Sequence, residues 1–217
     1  MYNEHPCNDL KRAFSLKPFP FQGADPEYSK FLFVGLDANY DLCIQNNSIF
    51  MELQNYLDNG VEFWKKQGVH HPFLLPRYQG DGRYYHKTFS TIGFGPEDAA
   101  DVSFLELLNV PTYGKSALVV KDLVDKPEKV EHLRRINDVI LNGSARYIFI
   151  PGSVGKLMRA SGHFTWLPKK PTSNGRHLKI WKEMNSKTIY WHYHFSVYGK
   201  FYQGKLNQLN EIKALIR

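Results

Sequence analysis

The chain has 217 residues, 42% of them apolar, which suits one large domain with a real core and makes disorder a poor default. No apolar run reaches the roughly 20 residues that span a bilayer, and the polar start carries no apolar leader, so the expectation is a cytoplasmic protein without membrane contact. Two cysteines, Cys7 and Cys43, are too few for a four-cysteine zinc site or an iron–sulfur cluster, while a net charge of +7 favours phosphate-bearing partners.

Residues 1–29 hold Pro6, Pro18, Pro20 and Pro26 without clear periodicity and read as an irregular arm that packs Phe14, Phe19 and Phe21 onto the body. The short apolar run from Phe31 to Val34, followed by Gly35, reads as a buried strand. Residues 48–57 read as a helix stopped by Asn59-Gly60, and 61–66 as another helical turn. Residues 70–83, with two prolines and two glycines, read as loop. A second strand is expected over 102–108. Asp125, Pro127 and Glu128 then supply a cap, a first-turn proline and a capping-box acid for a helix that Asn142-Gly143 stops. Tyr147 to Ile150 reads as a third strand, Gly152 to Ala160 as a helix, and Thr188 to His194 as a fourth strand. At the end, Leu206, Leu209, Ile212 and Ile216 line one helix face. Strands separated by helices imply right-handed parallel crossovers. The expected fold is a single α/β domain over 1–217, a three-layer α/β/α sandwich on a central, mainly parallel four-stranded sheet.

Open parallel sheets bind ligands beyond the carboxyl ends of their strands. There the sequence offers Gly35-Leu36-Asp37-Ala38-Asn39-Tyr40, then Leu107-Leu108-Asn109, Pro151-Gly152, and His194-Phe195-Ser196. An acid, an amide and an imidazole are thus expected to converge on one sheet edge. Singly, each such residue is more often a turn, a cap or a structural histidine.

The order and spacing of these segments resemble the uracil-DNA glycosylase superfamily. Gly35-Leu36-Asp37-Ala38 is similar to its first motif, and His194-Phe195-Ser196 to its last, with Leu107-Leu108-Asn109 as the middle strand. Phe50, 13 residues past Asp37, falls where the family keeps a base-stacking Phe. The resemblance covers about residues 30 to 200 and implies hydrolysis of the N-glycosidic bond of uracil or a related damaged base in DNA, with no cofactor and no metal. It assigns Asp37 to steady the sugar cation and orient water, and a neutral His194 to donate to the leaving base. Base contacts fall to Phe50, Asn109 and Asn39. DNA contacts fall to Gly152, Ser153, Lys156, Ser196 and Tyr198, joined by Arg77 and Arg83 of the 70–86 loop. The chain departs from the pattern at Ala38, where Pro is usual, and at Asn39, where the main branch has a methyl-excluding Tyr. It departs again at Phe195 for Pro and at Tyr198 for a wedge Leu, although aromatics also insert between bases. These departures keep a second expectation alive, a non-catalytic nucleic-acid-binding protein on the same fold. His192 offers a competing register for the last motif.

Other constellations read more weakly. His70, His71, Asp81 and His86 match no metal-ligand spacing, and adjacent histidines on a strand point to opposite faces. The 70–86 loop reads equally as a DNA-contacting lid or as a packed structural loop. Gly152-Ser-Val-Gly155-Lys156 lacks the first Gly and the last Ser or Thr of a phosphate loop. No nucleophile elbow surrounds Ser153 or Ser196.

Overall fold

The computed structural model describes residues 2–17, 19–115, 119–173 and 175–216, so Pro18 lies outside the described residues. The chain starts with strand β1 (Asn3–Glu4), helix α1 (Asn8–Ser15) and strand β2 (Gln22–Gly23). The expected irregular arm is therefore structured. Its helix was hidden because only Leu10 and Phe14, one turn apart, bury themselves, between flanking prolines.

Strand β3 (Phe31–Gly35) is buried on both faces, and β4 (Asn39–Tyr40) follows at once. Helices α2 (Phe50–Asp58) and α3 (Gly60–Gln67) meet at Asn59, whose side chain accepts from the Glu62 amide as an N-cap. Helix α4 (Arg83–Ser90) lies partly inside the segment expected to be loop. Its entry needs Gly82, which holds φ +83° and whose Cβ position lies 2.8 Å from the Phe73 ring. Strand β5 spans Val102–Glu106, β6 Thr112–Tyr113, and α5 Val120–Val124. Helix α6 (Pro127–Asn142) starts with Pro in its first turn and buries Leu133, Ile136 and Ile140. Its N-cap is Lys126, not Asp125, whose carboxylate instead accepts from Lys129 Nζ at 2.7 Å. Strand β7 (Tyr147–Pro151), helix α7 (Gly152–Ala160), strands β8 (Lys179–Met184) and β9 (Lys187–His192) and helix α8 (Tyr202–Ile216) complete the chain.

The central sheet corrects the expected four strands. It has six, in the order β2-β5-β3-β7-β9-β8, and it is mixed. The inner strands β5, β3, β7 and β9 run parallel, while β2 and β8 add antiparallel edges. Helices flank this sheet. Leu32, Val34, Leu105, Ile148 and Ile150 pack with Leu133 and Ile136 of α6 and Met158 of α7. The alternate residues Phe31, Phe33, Phe104 and Phe149 pack with Trp64 of α3, Phe89 of α4 and Leu209 of α8. Period-two alternation of the strands thus splits the core between two faces. No helix among the described residues is long and apolar enough to cross a membrane.

A small second sheet, β1-β6-β4, anchors the stretch of chain just past β3. Strand β6 pairs in parallel with β4, and the Thr112 amide donates to Ala38 O at 2.9 Å. The segment carrying Asp37 is held between the large sheet and this small one.

Candidate active site

Beyond the carboxyl ends of β3 and β5 lies a cavity of about 210 Å³. Asp37, Asn39, His194 and Ser196 all line it. Asp37 comes from the turn after β3. His194 comes from the loop after β9, which ends at His192, two residues earlier than expected. The sheet brings these distant segments together because β3 and β9 are both parallel neighbours of β7.

The Asp37 carboxylate accepts from the Thr112 hydroxyl and, at 3.4 Å, from the Asn39 amide. The same Asn39 amide nitrogen donates to Gly114 O at 2.9 Å and to Thr112 Oγ1 at 3.1 Å. Asn39 therefore ties β4 to β6 while it borders the cavity. His194 Nδ1 accepts from the Ser196 amide at 3.3 Å. A ring that accepts at Nδ1 carries its neutral-state proton on Nε2. Burial holds this imidazole below its ordinary range; Asp37 opposes that shift and Lys205 adds to it. His194 is thus suited to donate a neutral hydrogen bond.

His192, the alternative register, is 2% exposed and does not line the cavity. Its Nδ1 lies 2.7 Å from Tyr193 O, its ring packs on Phe195, and burial lowers it to about 3.

Two expected base contacts lie elsewhere. Phe50 opens α2 and packs against the cluster of Ile49, Leu53 and Phe73 rather than lining the cavity. Asn109 borders surface depressions next to Arg12 and Ser15 of α1 and Glu128 of α6. Consecutive Leu107 and Leu108 both turn into one core cluster, which breaks the strand's alternation and carries Asn109 away.

The β5 residue that reaches the cavity is Glu106. Its Oε2 is buried and finds no hydrogen-bond partner among the described residues. Burial first, and the Asp37 charge second, push its carboxyl well above the ordinary carboxylate range. The Tyr40 hydroxyl, on the same cavity, is also buried and unpartnered. A charged residue at the end of a buried strand is the sequence signal for Glu106.

The remaining wall comes from the 70–86 segment. Phe73, Tyr85, His71 and His86 line the cavity. His71 stacks on His86 with ring centres 3.7 Å apart and planes 8° from parallel. His70 Nε2 lies 3.1 Å from His86 Nδ1. The expectation that His70 and His71 diverge fails because this segment is not a strand. Burial lowers all three imidazoles, His86 to about 3. Among the described residues no group of three or more His, Cys, Asp or Glu side chains is arranged to hold a metal ion.

The expected phosphate contacts divide. Arg77 pairs with Glu52 and so ties the loop to α2, while Arg83 donates to Leu75 O at 3.0 Å and to Tyr78 O and so holds the loop to itself. Ser153 and Lys156 are exposed on α7, and Gly152 presses on Trp191, none of them lining the cavity. Tyr198 is 80% exposed just past the His194 loop.

No family model matches the chain, and no curated protein matches it in sequence.

Proposed function

We propose that the chain is a DNA base-excision glycosylase that hydrolyses the N-glycosidic bond of uracil or a related damaged base. The observation that carries this reading is the meeting of Asp37 and His194 at one cavity beyond the strand ends. As the bond breaks, its electron pair leaves with the base and positive charge builds on the sugar. Asp37 steadies that charge and orients the attacking water, whose oxygen bonds the sugar carbon as it gives up a proton. His194 Nε2–H donates a hydrogen bond to a carbonyl of the departing base, and the proton released by the water balances the base anion. The flipped base lies among Phe73, Tyr85 and Tyr40, and the exposed Tyr198 wedges into the stack it leaves. The reaction so written calls on no cofactor. The same proposal takes the sheet and its helices as the three-layer sandwich of the uracil-DNA glycosylases, a description that the four inner parallel strands support.

A second reading, a nucleic-acid-binding protein without catalysis, is favoured by one observation. Thr112 and Asn39 already occupy the Asp37 carboxylate within the fold. Incubation with uracil-bearing single- and double-stranded oligonucleotides, followed by alkali, separates the two. Strand scission is the expected result. Salt-dependent binding without scission supports the second reading, and no binding at low salt overturns both.

A further inference from the structure

Glu106 is hard to explain as a structural residue. Its carboxyl group lies against Gly35, where an added Cβ would sit 2.1 Å from Oε2, so glycine at 35 leaves it room in this position. Oε2 nevertheless finds no hydrogen-bond partner. Tyr40, 3% exposed on the same cavity, has an unpartnered hydroxyl as well. A buried polar group left unpaired is destabilising, because it has given up its water without gaining a partner. Two such groups at one cavity point to a ligand that supplies the missing partners.

The chemistry of that ligand follows from the charges around Glu106. Asp37 after β3 lines the cavity too, and a second negative charge beside it is disfavoured. Tyr40 on β4, Tyr56 on α2 and Tyr85 on α4 also feel the Glu106 charge, and none of them offers a cation. His71, His86 and His194 border the cavity as neutral imidazoles. On α6, His132 lies 2.9 Å from the Glu106 main-chain oxygen and burial lowers it also. Lys17 borders the groove on the far side of Glu106. A carboxyl in these surroundings is a neutral acid, with one O–H donor and one carbonyl acceptor side by side. Its terminal torsion is broad, so either oxygen can take the donor place.

We propose that Glu106 is a specificity-determining residue that binds a planar heterocycle by an edge carrying an N–H beside a C=O. The ring N–H donates to the Glu106 carbonyl oxygen, and the Glu106 O–H donates to the ring carbonyl. The inference rests on the glycosylase reading for the choice of a nucleobase as that heterocycle. No proton changes owner in the complex.

Two methylated uracils test this without any DNA. In 1-methyluracil the N3–H and O4 edge is free and the methyl group stands where the sugar attaches; in 1,3-dimethyluracil no N–H is left, so every such edge is blocked. NMR titration of the wild type should show 1-methyluracil binding at least about tenfold tighter, the worth of one paired edge. Glu106→Gln keeps a donor beside an acceptor and should keep the preference. Glu106→Leu should lose it, with thermal unfolding recorded to show that each variant folds. Wild-type binding of 1-methyluracil should weaken as pH rises and the acid loses its donor, while Glu106→Gln binds evenly across the same range. Retention of the preference in a folded Glu106→Leu, or the same pH profile in Glu106→Gln, overturns the inference. If Glu106→Leu does not fold, the two Glu106→Gln readouts decide alone. Release of uracil from DNA by a wild type that binds neither methyluracil overturns it and leaves the glycosylase standing. Edge-dependent binding with no release from any DNA keeps it and removes the catalysis.

Discussion

His71 and His194 are built alike. Each follows the same local pattern, with Nδ1 accepting the amide two residues on, from Phe73 at 3.2 Å and from Ser196 at 3.3 Å. Each therefore carries a neutral-state proton on Nε2, and both line the cavity. Their neighbours differ. His71 is 2% exposed and stacked flat on His86, within an aromatic wall. His194 is partly exposed, feels the Asp37 charge, and meets only the tilted ring of Tyr85, 5.2 Å away. The same imidazole in the same turn becomes part of a packed wall in one place and an accessible donor opposite a carboxylate in the other. The tautomer does not separate the two; access and the facing charge do.

The comparison breaks most clearly on turnover. His194→Ala should lower base release by about 100- to 1000-fold, the usual loss when one donor to a developing anion is removed. Its melting temperature should stay close to wild type, since the hydrogen bond from the Ser196 amide to the ring is local. His71→Ala should keep turnover nearer to wild type. If the two variants exchange these results, the donor is in the wall and the last-motif reading is mistaken. Asp37→Asn should cost on the order of 100-fold in turnover while leaving oligonucleotide binding intact. Unchanged turnover in Asp37→Asn removes the carboxylate from the mechanism.

The legible parts of this chain were those where one physical signal dominated. Strands β3 and β7 are short and apolar, β3 ends in a glycine, and a glycine opens α7 where β7 ends. Asp37 and His194 were readable because strand order alone brings their segments to one edge. The edge strand β8 was not, since only Trp181 among its six residues is buried and a half-solvated strand carries little apolar signal. Asn109 falls elsewhere because the strand stops at Glu106, and Leu107 and Leu108, read as its continuation, both turn into one core cluster. Glu106 stands inside the stretch read as that strand, and no motif marks it. The wall of His70, His71 and His86 was invisible because tertiary packing, not sequence spacing, brings those rings together.

Stability should show the other side of the comparison. His86→Ala removes the ring stacked on His71 and the partner of His70 Nε2. Leaving a buried nitrogen unpaired costs about 1–3 kcal/mol, so urea unfolding should shift by that amount or more, counting the cavity left behind. His194→Ala should shift it far less. Equal shifts would mean that the His194 loop is as firmly packed as the wall.

The smallest effect is on the pH dependence of unfolding, and it sharpens the comparison where mutation is blunt. His86 is lowered to about 3 in the folded chain, against about 6.5 for an unperturbed imidazole. Between those values the unfolded chain holds the proton and the folded chain does not. The stability that His86 contributes is complete above about pH 6.5 and is lost as pH falls toward 3. Glu106 acts in the opposite sense. Its folded carboxyl is raised, so the folded chain holds the extra proton and stability is lost as pH rises past the ordinary carboxylate range. Where the two windows overlap they oppose each other, and the other buried imidazoles add to the His86 side. His86→Gln removes one titrating group from the wall, so between about pH 4.5 and 6 its stability should rise with pH less steeply than wild type, by at most about 1.4 kcal/mol per pH unit. His194→Gln should change that slope less, because Asp37 opposes the lowering of His194 and nothing charged opposes that of His86. Urea unfolding of the three proteins at half-unit pH steps measures both slopes. A His194→Gln slope that departs from wild type as far as that of His86→Gln would show that His194 is sealed like the wall and that its access to the cavity is not what distinguishes it.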